Sequence, residues 1–197
     1  MPKGDRPPEP LSAGEVRALL AACDAETLTG LRNHALLVML WRCGLRCQEV
    51  LDLRPCDVDF DAGTVRVRFG KGRKARTAGV DDSALAVLGL WADARLAAGI
   101  AGDVLFCRLR YEPGAPLSSR YVRAEIVRLA VKAGIGKHVR AHGLRHTMAV
   151  ESWREGIPVP KISKQLGHAS IATTQIYLDH LFPGEVVEAY RARKWAS

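Results

Sequence analysis

The segment from Leu31 to Cys43 constrains the fold of this chain more than any other. Its centre at positions 36–41, LLVMLW, is wholly apolar, and a helix that is apolar on every side has to be enclosed by other elements. Gly44 follows directly, and glycine is the residue that most often ends a helix. We therefore predict a central, buried helix over 31–43, with the rest of the chain packed around it.

Capping residues and apolar spacing indicate several more helices. Ser12 and Glu15 form a capping box, which predicts that folding begins there. Asp81 or Asp82 caps a helix that runs to about Ala98, in which Leu85, Leu88 and Leu96 are predicted to face inward. Further helices are predicted from Ser118 or Ser119 to about Ala133, from Gly143 to about Glu155, from Pro158 to Gly167, from Ser170 past Tyr177, and from Pro183 to about Lys194.

One stretch has the alternation of a β-strand instead. Between Gly63 and Phe69, the apolar residues Val65, Val67 and Phe69 alternate with Arg66 and Arg68, which predicts one buried face and one basic face. A glycine-flanked turn at 70–72 and a return segment over 76–80 complete a hairpin. The predicted fold class is therefore mostly α, with a small antiparallel β-hairpin sheet.

The charge balance favours a polyanionic partner. Lysine and arginine outnumber aspartate and glutamate by 29 to 21 among the 197 residues, which gives a net charge of +8 and a pI near 9.5. Apolar residues make up 48% of the chain, which excludes a chain that is disordered throughout. Charge alone leaves a basic but otherwise ordinary protein as an open alternative.

Several classes of protein are disfavoured by the same composition. Five cysteines without a C-x-x-C pair do not form a disulfide framework or a familiar zinc site, and they indicate a reducing cytoplasm. No apolar run reaches the ~18–20 residues that a membrane span needs, and no leader segment opens the chain. Residues 1–10 hold four prolines among charged residues and are predicted to be a flexible arm or a linker stub, ahead of one domain over 11–197.

Two motifs in the last third of the chain supply reactive groups. Residues 142–147 read HGLRHT, and LGH at 166–168 is followed nine residues later by Tyr177. A phenol has a pKa near ~10 and is a poor nucleophile at neutral pH unless positive neighbours favour the phenolate. A guanidinium such as that of Arg145 can donate two parallel hydrogen bonds to phosphate oxygens. Together with His142 and His168, these groups are suited to attacking a phosphodiester without a metal.

Two upstream motifs add further cations. GLRCQE at 44–49 places Arg46 just beyond the predicted buried helix, with Glu49 three residues on. GKGRKAR at 70–76 places Lys71 in the predicted hairpin turn. Taken alone, Arg46 reads as a capping or salt-bridging residue and Lys71 as a solvated turn residue.

The order of these motifs resembles the catalytic domain of the tyrosine recombinases, the phage integrase family. The resemblance rests on the G-L-R-x-x-E box, the H-x-L-R-H-T box and the L-G-H box with its tyrosine, and it extends from about Leu11 to Tyr190. It implies a mostly helical fold with a small β-hairpin sheet at one edge. It also implies a catalytic set of Arg46, Lys71, His142, Arg145, His168 and Tyr177, with Glu49 supporting Arg46.

The resemblance further implies a reaction on double-stranded DNA. Tyr177 would attack a phosphate, form a 3′-phosphotyrosyl bond and free a 5′ hydroxyl, and the hydroxyl of a second strand would reverse the step. Arg46 and Arg145 would stabilise the charge at phosphorus, so no metal, ATP or other cofactor is expected. Lys71 is the expected general acid, with Lys74 as the competing candidate. Other basic residues are expected to contact DNA: Arg66, Arg68, Arg73, Lys74 and Arg76 around the hairpin, and Arg120, Arg123 and Arg128 on the helix from Ser118.

The histidines and the tyrosine also have purely structural interpretations. His142 can be read as a core residue, His146 beside it is expected to be one, and His168 can be read as a C-terminal helix cap. A tyrosine in the middle of a helix is usually half-buried. The residues Thr173, Thr174, Gln175 and Asp179 around Tyr177 are polar, however, which favours an accessible phenol.

Other functions remain compatible with the motifs. The same residue set serves type IB topoisomerases, which relax supercoils, and a non-catalytic DNA-binding protein can keep the fold. The N-terminal helical domain that most family members carry has no room here, so the chain is either a catalytic fragment or a minimal enzyme with salt-sensitive DNA binding. The family's assembly implies a free monomer and a homotetramer on DNA, linked through the tail over 181–197.

Overall fold

The computed structural model describes residues 9–70, 75–179 and 191. The helices of that part are α1 (Ala13–Ala21), α2 (Leu28–Trp41), α3 (Cys47–Leu51), α4 (Asp82–Ala97), α5 (Ser119–Lys132), α6 (Ala141–Arg154), α7 (Val159–Leu166) and α8 (Ile171–Asp179). A 3-10 turn at Pro55–Asp57 precedes the strands β1 (Val58–Asp59), β2 (Thr64–Val67) and β3 (Arg76–Gly79), which form an antiparallel sheet in the order β1-β2-β3. The predicted fold class, mostly α with a small antiparallel sheet, is confirmed.

Helix α2 forms the centre of the molecule, as its apolar sequence predicts. Its central residues are buried, and the helix packs against α3, α4 and α6. It begins at Leu28 rather than at Leu31, because the Thr27 hydroxyl accepts a hydrogen bond from the Gly30 N–H at 3.1 Å and caps the first turn. The buried helix therefore serves as the frame on which the other helices are arranged.

Gly44 brings the chain after α2 against α7. Its φ is +62°, and a Cβ placed there would lie 2.8 Å from the Leu166 side chain and 3.1 Å from the sulfur of Met148. A larger residue is thus disfavoured both by the backbone conformation and by the packing. The close approach lets the residues that follow Gly44 lie beside the LGH segment at 166–168.

The sheet confirms the two predicted strands of the hairpin and adds a short strand, whereas residues 71 and 72 of the predicted turn lie outside the described residues. Val65 pairs with Ala78 and Val67 pairs with Arg76 across β2 and β3, and both valines are buried. Strand β1 is two residues long, too short to produce an alternating pattern in the sequence. Phe69 was predicted to share the buried face of the valines, and this is wrong: its side chain is 62% exposed, because β2 ends at Val67 and the alternation of faces ends with it.

Helix α4 corrects a second prediction. Leu85 and Leu88 are buried as expected, but Leu96 is 79% exposed. The buried face continues instead through Trp91, whose indole N–H donates to a backbone carbonyl at 3.1 Å, and through Arg95. Since successive helical residues are about 100° apart around the axis, Leu96 points away from the core that Arg95 faces.

The start of the described chain is tied to the fold. The side chain of Lys137 donates to the carboxylate of Glu9 at 3.1 Å and to the carbonyl of Pro10 at 2.8 Å. Residues 1–8 of the predicted arm lie outside the described residues. In the part of the chain that the structure describes, no helix combines the length and the apolar character needed to cross a membrane.

Candidate active site

Arg46 lies immediately before α3, where Gly44 has turned the chain out of α2. Its backbone N–H and its Nη1 both donate to the carboxylate of Glu49, at 2.8 Å and 2.7 Å, and its Nη2 donates to the carbonyl of Gly167 at 3.3 Å. The Arg46 side chain keeps 31% of its surface exposed. Glu49 therefore holds the guanidinium in one orientation while part of it stays at the surface.

Glu49 is a buried carboxylate that remains ionised. Burial alone would raise its pKa, but hydrogen bonds from the Arg76 side chain and the Arg46 backbone, together with the charge of Arg76, lower the pKa to about 2. The carboxylate is therefore a fixed negative charge beneath Arg46 over the whole neutral range of pH.

Arg145 in α6 is fixed from two sides. The residue is almost completely buried, and its Nη1 and Nη2 donate to the carbonyls of Gly44 and Leu166, respectively. These carbonyls stand two residues before Arg46 and two residues before His168. One guanidinium thus joins the GLR box to the LGH box, and its plane is set by the backbone of both.

His142 lies three residues before Arg145 in α6 and is exposed. The pKa of His142 is lowered, because partial burial and the charges of Arg145, His146 and Arg46 disfavour the imidazolium. His146 is buried in the interior, which confirms the prediction that it is a core residue.

His168 follows α7 and makes a contact to α8. Its Nδ1 lies 2.8 Å from Oγ1 of Thr174, whose side chain has no exposed surface. Burial and the charges of Arg145 and Arg46 lower the pKa of His168 to about 4, so that the imidazole is neutral near pH 7. The contact ties the LGH box to the helix that carries Tyr177, three residues beyond Thr174.

Tyr177 belongs to α8, as predicted from Ser170 onward. Its side chain lies outside the described part of the structure. So do residues 71–74, which include the predicted site residues Lys71, Arg73 and Lys74.

The polar residues around Tyr177 do not all mark an exposed face. Thr173 and Gln175 are exposed, but Thr174 is completely buried against His168. Thr174 therefore gives no support to an accessible Tyr177 phenol, because its hydroxyl is engaged with the histidine instead of with solvent.

A cleft of about 680 Å³ is lined by three of the four described members of the catalytic set, and His168 is not among its lining residues. Arg46, His142 and Arg145 line it together with Arg123 and Arg140 and with apolar residues of α3 and α5. None of the described residues that line it is acidic, so the cleft favours an anionic ligand. Within residues 9–70 and 75–179, no three histidine, cysteine, aspartate or glutamate side chains are grouped so as to hold a metal ion.

The other arginines predicted to contact DNA differ in their surroundings. Arg66, Arg120 and Arg123 are exposed. Arg68 pairs with Asp57 at 2.8 Å, and Arg128 pairs with Glu125 at 2.6 Å. The first three are therefore better placed to reach a phosphate than the last two, each of which already holds a carboxylate.

Arg76 occupies a different place from the predicted one. Its side chain is 13% exposed, and its Nη1 and Nη2 form a two-pronged ion pair with Glu49 at 2.7 Å and 2.8 Å. A guanidinium held in this way by a buried carboxylate does not face an external phosphate. Arg76 therefore belongs to the support of the site rather than to its DNA-facing surface.

Comparison with protein families decides the relationship of the chain. A profile of the phage integrase family matches residues 9–183, a range that contains all three boxes and every member of the predicted catalytic set. The chain belongs to the phage integrase family. The family resemblance of the sequence is thereby confirmed.

Named relatives of this phage integrase family member include Xer recombinases. Tyrosine recombinase XerC of Xylella fastidiosa (strain 9a5c) is 39% identical over 170 residues, which cover 85% of this chain and 56% of the relative. The crystal structure of XerA recombinase matches with a TM-score of 0.81 at 32% identity, over 96% of this chain and 68% of that chain. The XerH site-specific recombinase bound to a palindromic difH substrate, in a post-cleavage complex, matches with a TM-score of 0.79 at 26% identity, over 98% of this chain and 55% of that chain. This chain spans a little over half the length of the XerC relative.

The sequence motifs of this phage integrase family member did not predict one residue that supports the site. The side-chain amide of Gln165 donates to the carbonyls of Cys43 and Gly79, at 3.1 Å and 2.9 Å, and accepts from the Gly79 N–H at 2.9 Å. It ties the end of α7 to the end of α2 and to β3. A glutamine before an LGH box reads like any polar residue on a helix, so only the tertiary structure reveals this role.

The lowered pKa of His168 predicts how acid affects the stability of this integrase-family domain. Between pH 6.5 and about 4 the unfolded imidazole takes up a proton that the folded one does not, so the free energy of unfolding should decrease as the pH falls through this window. Urea unfolding of wild type and His168→Gln at pH 7.5, 6.5 and 5.5 measures the effect. The variant is expected to lose less stability over that range; equal losses in both proteins would contradict the lowered pKa.

Proposed function

We propose that this protein is a site-specific DNA recombinase that cuts and rejoins DNA strands through a covalent tyrosine intermediate. The observation that carries the proposal is the convergence of Arg46, His142, Arg145 and His168 at one basic site, with α8 tied to that site through Thr174. The Oη of Tyr177 forms a bond to phosphorus, and the bond from phosphorus to the 5′ oxygen breaks. The released 5′ hydroxyl, or that of a second strand, reverses the step.

The two arginines supply the charge that a metal supplies in other phosphodiester enzymes. Arg46 and Arg145 line the same cleft, and two backbone carbonyls hold the guanidinium of Arg145 in one orientation. Preorganised donors of this kind are worth most at the position where charge develops in the transition state. The proposed reaction therefore uses neither a metal nor ATP.

The histidines serve as neutral hydrogen-bonding groups in this proposal. Near pH 7 the imidazole of His168 is neutral, since burial and the surrounding guanidiniums lower its pKa. When Thr174 donates to Nδ1, the opposite ring nitrogen carries the hydrogen and can donate to a phosphate oxygen. His142, which is exposed and lines the cleft, is suited to the same task.

The leaving 5′ oxygen needs a proton, and Lys71 is the proposed donor. An alkoxide leaves poorly, and a cation on a flexible stem can protonate it as the bond breaks. Lys74 is the competing donor. Both lysines lie in the chain between β2 and β3, and Gln165 joins β3 to α7, the helix that ends at the LGH box.

Double-stranded DNA is the proposed partner. The net charge of +8 and the basic cleft favour a polyanion, and exposed Arg66, Arg120 and Arg123 are the proposed phosphate contacts. XerH, at 26% identity, was solved on its DNA substrate. Binding that rests on such contacts is expected to weaken steeply as salt is raised.

Covalent trapping tests the proposed chemistry. A labelled duplex from the flanks of the encoding gene carries a nick close to the cleavage site, so that the short strand with the free 5′ hydroxyl dissociates and the complex accumulates. We expect a protein–DNA band that survives denaturing electrophoresis and forms in the presence of a chelator. Binding without any such band would contradict the proposal and indicate a DNA-binding protein that keeps the recombinase fold.

The products separate strand exchange from strand relaxation. Two labelled half-sites of different length are expected to yield a joined strand of new length, because the proposed enzyme transfers one DNA end to another. Relaxation of a supercoiled plasmid without joined products would instead indicate a topoisomerase of type IB.

We also propose that assembly on DNA depends on the tail over 181–197, of which only Arg191 is described. Ending the chain at Leu181 removes the segment while the described core up to α8 is retained. We expect unchanged urea unfolding and a loss of tetrameric complexes on two duplexes, measured by crosslinking and gel electrophoresis. Undiminished pairing of duplexes by the shortened protein would contradict this role.

A further inference from the structure

We propose that Arg76 is a positioning residue for DNA cleavage, which acts through Glu49 on the guanidinium of Arg46. The inference rests on the proposed recombinase function and gives Arg76 a role in cleavage that does not require it to contact the DNA. Arg76 is the first residue of β3, five residues after Lys71. Its side chain extends from the sheet to the carboxylate of Glu49, which also binds Arg46.

Glu49 is the meeting point of the two arginines. Its Oε1 accepts from Nη1 of Arg46 and from Nη1 of Arg76, each at 2.7 Å, and its Oε2 accepts from the Arg46 backbone and from Nη2 of Arg76, each at 2.8 Å. Both carboxylate oxygens are therefore shared between the two residues. A planar fork such as that of Arg76 fixes the plane of the carboxylate, and the carboxylate then fixes Arg46.

Charge gives Arg76 a second effect on Arg46. A lone carboxylate 2.7 Å from Arg46 would cancel much of the positive charge that a bound phosphate needs. With Arg76 on the opposite side, the three groups together carry a net charge of +1 (two guanidiniums and one carboxylate). Arg46 can then be held by Glu49 and still attract a phosphate.

Arg76 also contacts the segment that carries the LGH box. Its Nε donates to the carbonyl of Gln165 at 3.3 Å. A Cβ at Gly167 would lie 2.8 Å from the Cδ and Nε atoms of Arg76, so glycine is needed there to admit the side chain. Arg76 thus packs against Gly167, whose carbonyl accepts from Arg46, and also holds the carboxylate of Glu49.

Single-turnover cleavage of the nicked duplex by Arg76→Gln and Arg76→Lys tests the proposal. Arg76→Gln keeps a polar side chain but loses the charge and the fork, and we expect cleavage about 10²-fold slower, the scale of effect that a small misplacement of a catalytic group produces. Arg76→Lys restores the charge without the fork and is expected to have an intermediate rate. DNA affinity should fall far less than the cleavage rate in both, because the proposed binding rests on many phosphate contacts and Arg76 is not proposed to make one.

Arg42→Gln is the matched control. Arg42 forms an ion pair with Asp81 at 2.8 Å that joins the end of α2 to the start of α4, so its loss perturbs the fold without reaching Glu49. We expect its cleavage rate to match wild type. Equal rates for Arg76→Gln and Arg42→Gln, in samples that are both fully folded by circular dichroism, would overturn the proposal.

A neutral substrate separates positioning of Arg46 from a general loss of structure. When a methylphosphonate replaces the scissile phosphate, the non-bridging charge that Arg46 is proposed to attract is removed. The rate deficit of Arg76→Gln relative to wild type is then expected to shrink to a few-fold. A deficit of the same size on both substrates would mean that Arg76 acts on the fold as a whole, and would overturn the proposal.

A measurement on the protein without DNA tests the inference independently of the proposed function. In 15N spectra of the arginine side chains, the Arg46 Nε–H signal is expected to shift in Arg76→Gln, because Arg46 gains the carboxylate oxygen that Arg76 releases. An unchanged Arg46 signal would overturn the inference even when wild type cleaves DNA. A shifted signal in a protein that never forms a covalent complex would uphold the link between the arginines and reject the recombinase function alone.

Discussion

Replacing Tyr177 by phenylalanine is expected to abolish covalent attachment to DNA while the affinity for the same DNA is retained. Phenylalanine keeps the ring at the same position in α8 and removes only the oxygen that attacks phosphorus. Denaturing electrophoresis of the nicked duplex measures attachment, and fluorescence anisotropy of the intact duplex measures affinity. Complete loss of attachment with unchanged affinity indicates a missing nucleophile and not a damaged binding surface.

Tyr111→Phe is the control for this substitution. Tyr111 is the most exposed of the large hydrophobic side chains in the described residues, at 90%, so its phenol is open to any DNA that the protein binds. Attachment should be unaffected by its removal. A band that persists in Tyr177→Phe and disappears in Tyr111→Phe would assign the nucleophile to the loop before α5 and contradict the proposed site.

Replacing Arg145 by lysine is expected to have the second largest effect, on cleavage and stability together. Lysine keeps the charge but cannot donate to the carbonyls of Gly44 and Leu166 at once. Each buried carbonyl left without a partner costs about 1–3 kcal/mol of the free energy of unfolding. Loss of the oriented donor at the phosphate should slow cleavage by about 10²- to 10³-fold.

Arg95→Lys is the control for the general effect of replacing a buried arginine. Arg95 in α4 is 6% exposed and donates to the carbonyl of Gly102 at 2.7 Å, so its replacement should also lower the free energy of unfolding, measured in urea. Its cleavage rate should stay at the wild-type value, because Arg95 does not line the cleft. Equal slowing of cleavage in the two variants would mean that stability, and not the position of Arg145, determines the rate.

The sequence predicted those parts of the fold that follow from local patterns. The apolar run of α2, the caps at Ser12, Asp81 and Ser118, and the alternation of Val65 and Val67 all reflect interactions within one element, and the structure agrees with them. Two predictions failed at apolar residues. Phe69 lies beyond the end of β2, and Leu96 lies on the face of α4 that points away from the core.

The same distinction holds for the site. The boxes around Arg46, Arg145 and His168 could be recognised by their resemblance to the family, because each box is a short run of neighbouring residues. The residues that hold these groups in place come from distant segments and carry no motif. Arg76 reads as a DNA contact and Thr174 as a polar neighbour of Tyr177, yet Arg76 pairs with Glu49, which holds Arg46, and Thr174 is buried against His168.

Mass spectrometry of the covalent complex tests the central claim most directly. After nuclease and trypsin treatment, the attached nucleotide should remain on the peptide from Gln165 to Arg191, which contains both Tyr177 and Tyr190. Fragmentation of that peptide locates the modified residue. We expect a nucleotide joined through its 3′ phosphate to Tyr177. A nucleotide on Tyr190 or on any other residue would contradict the proposed active site.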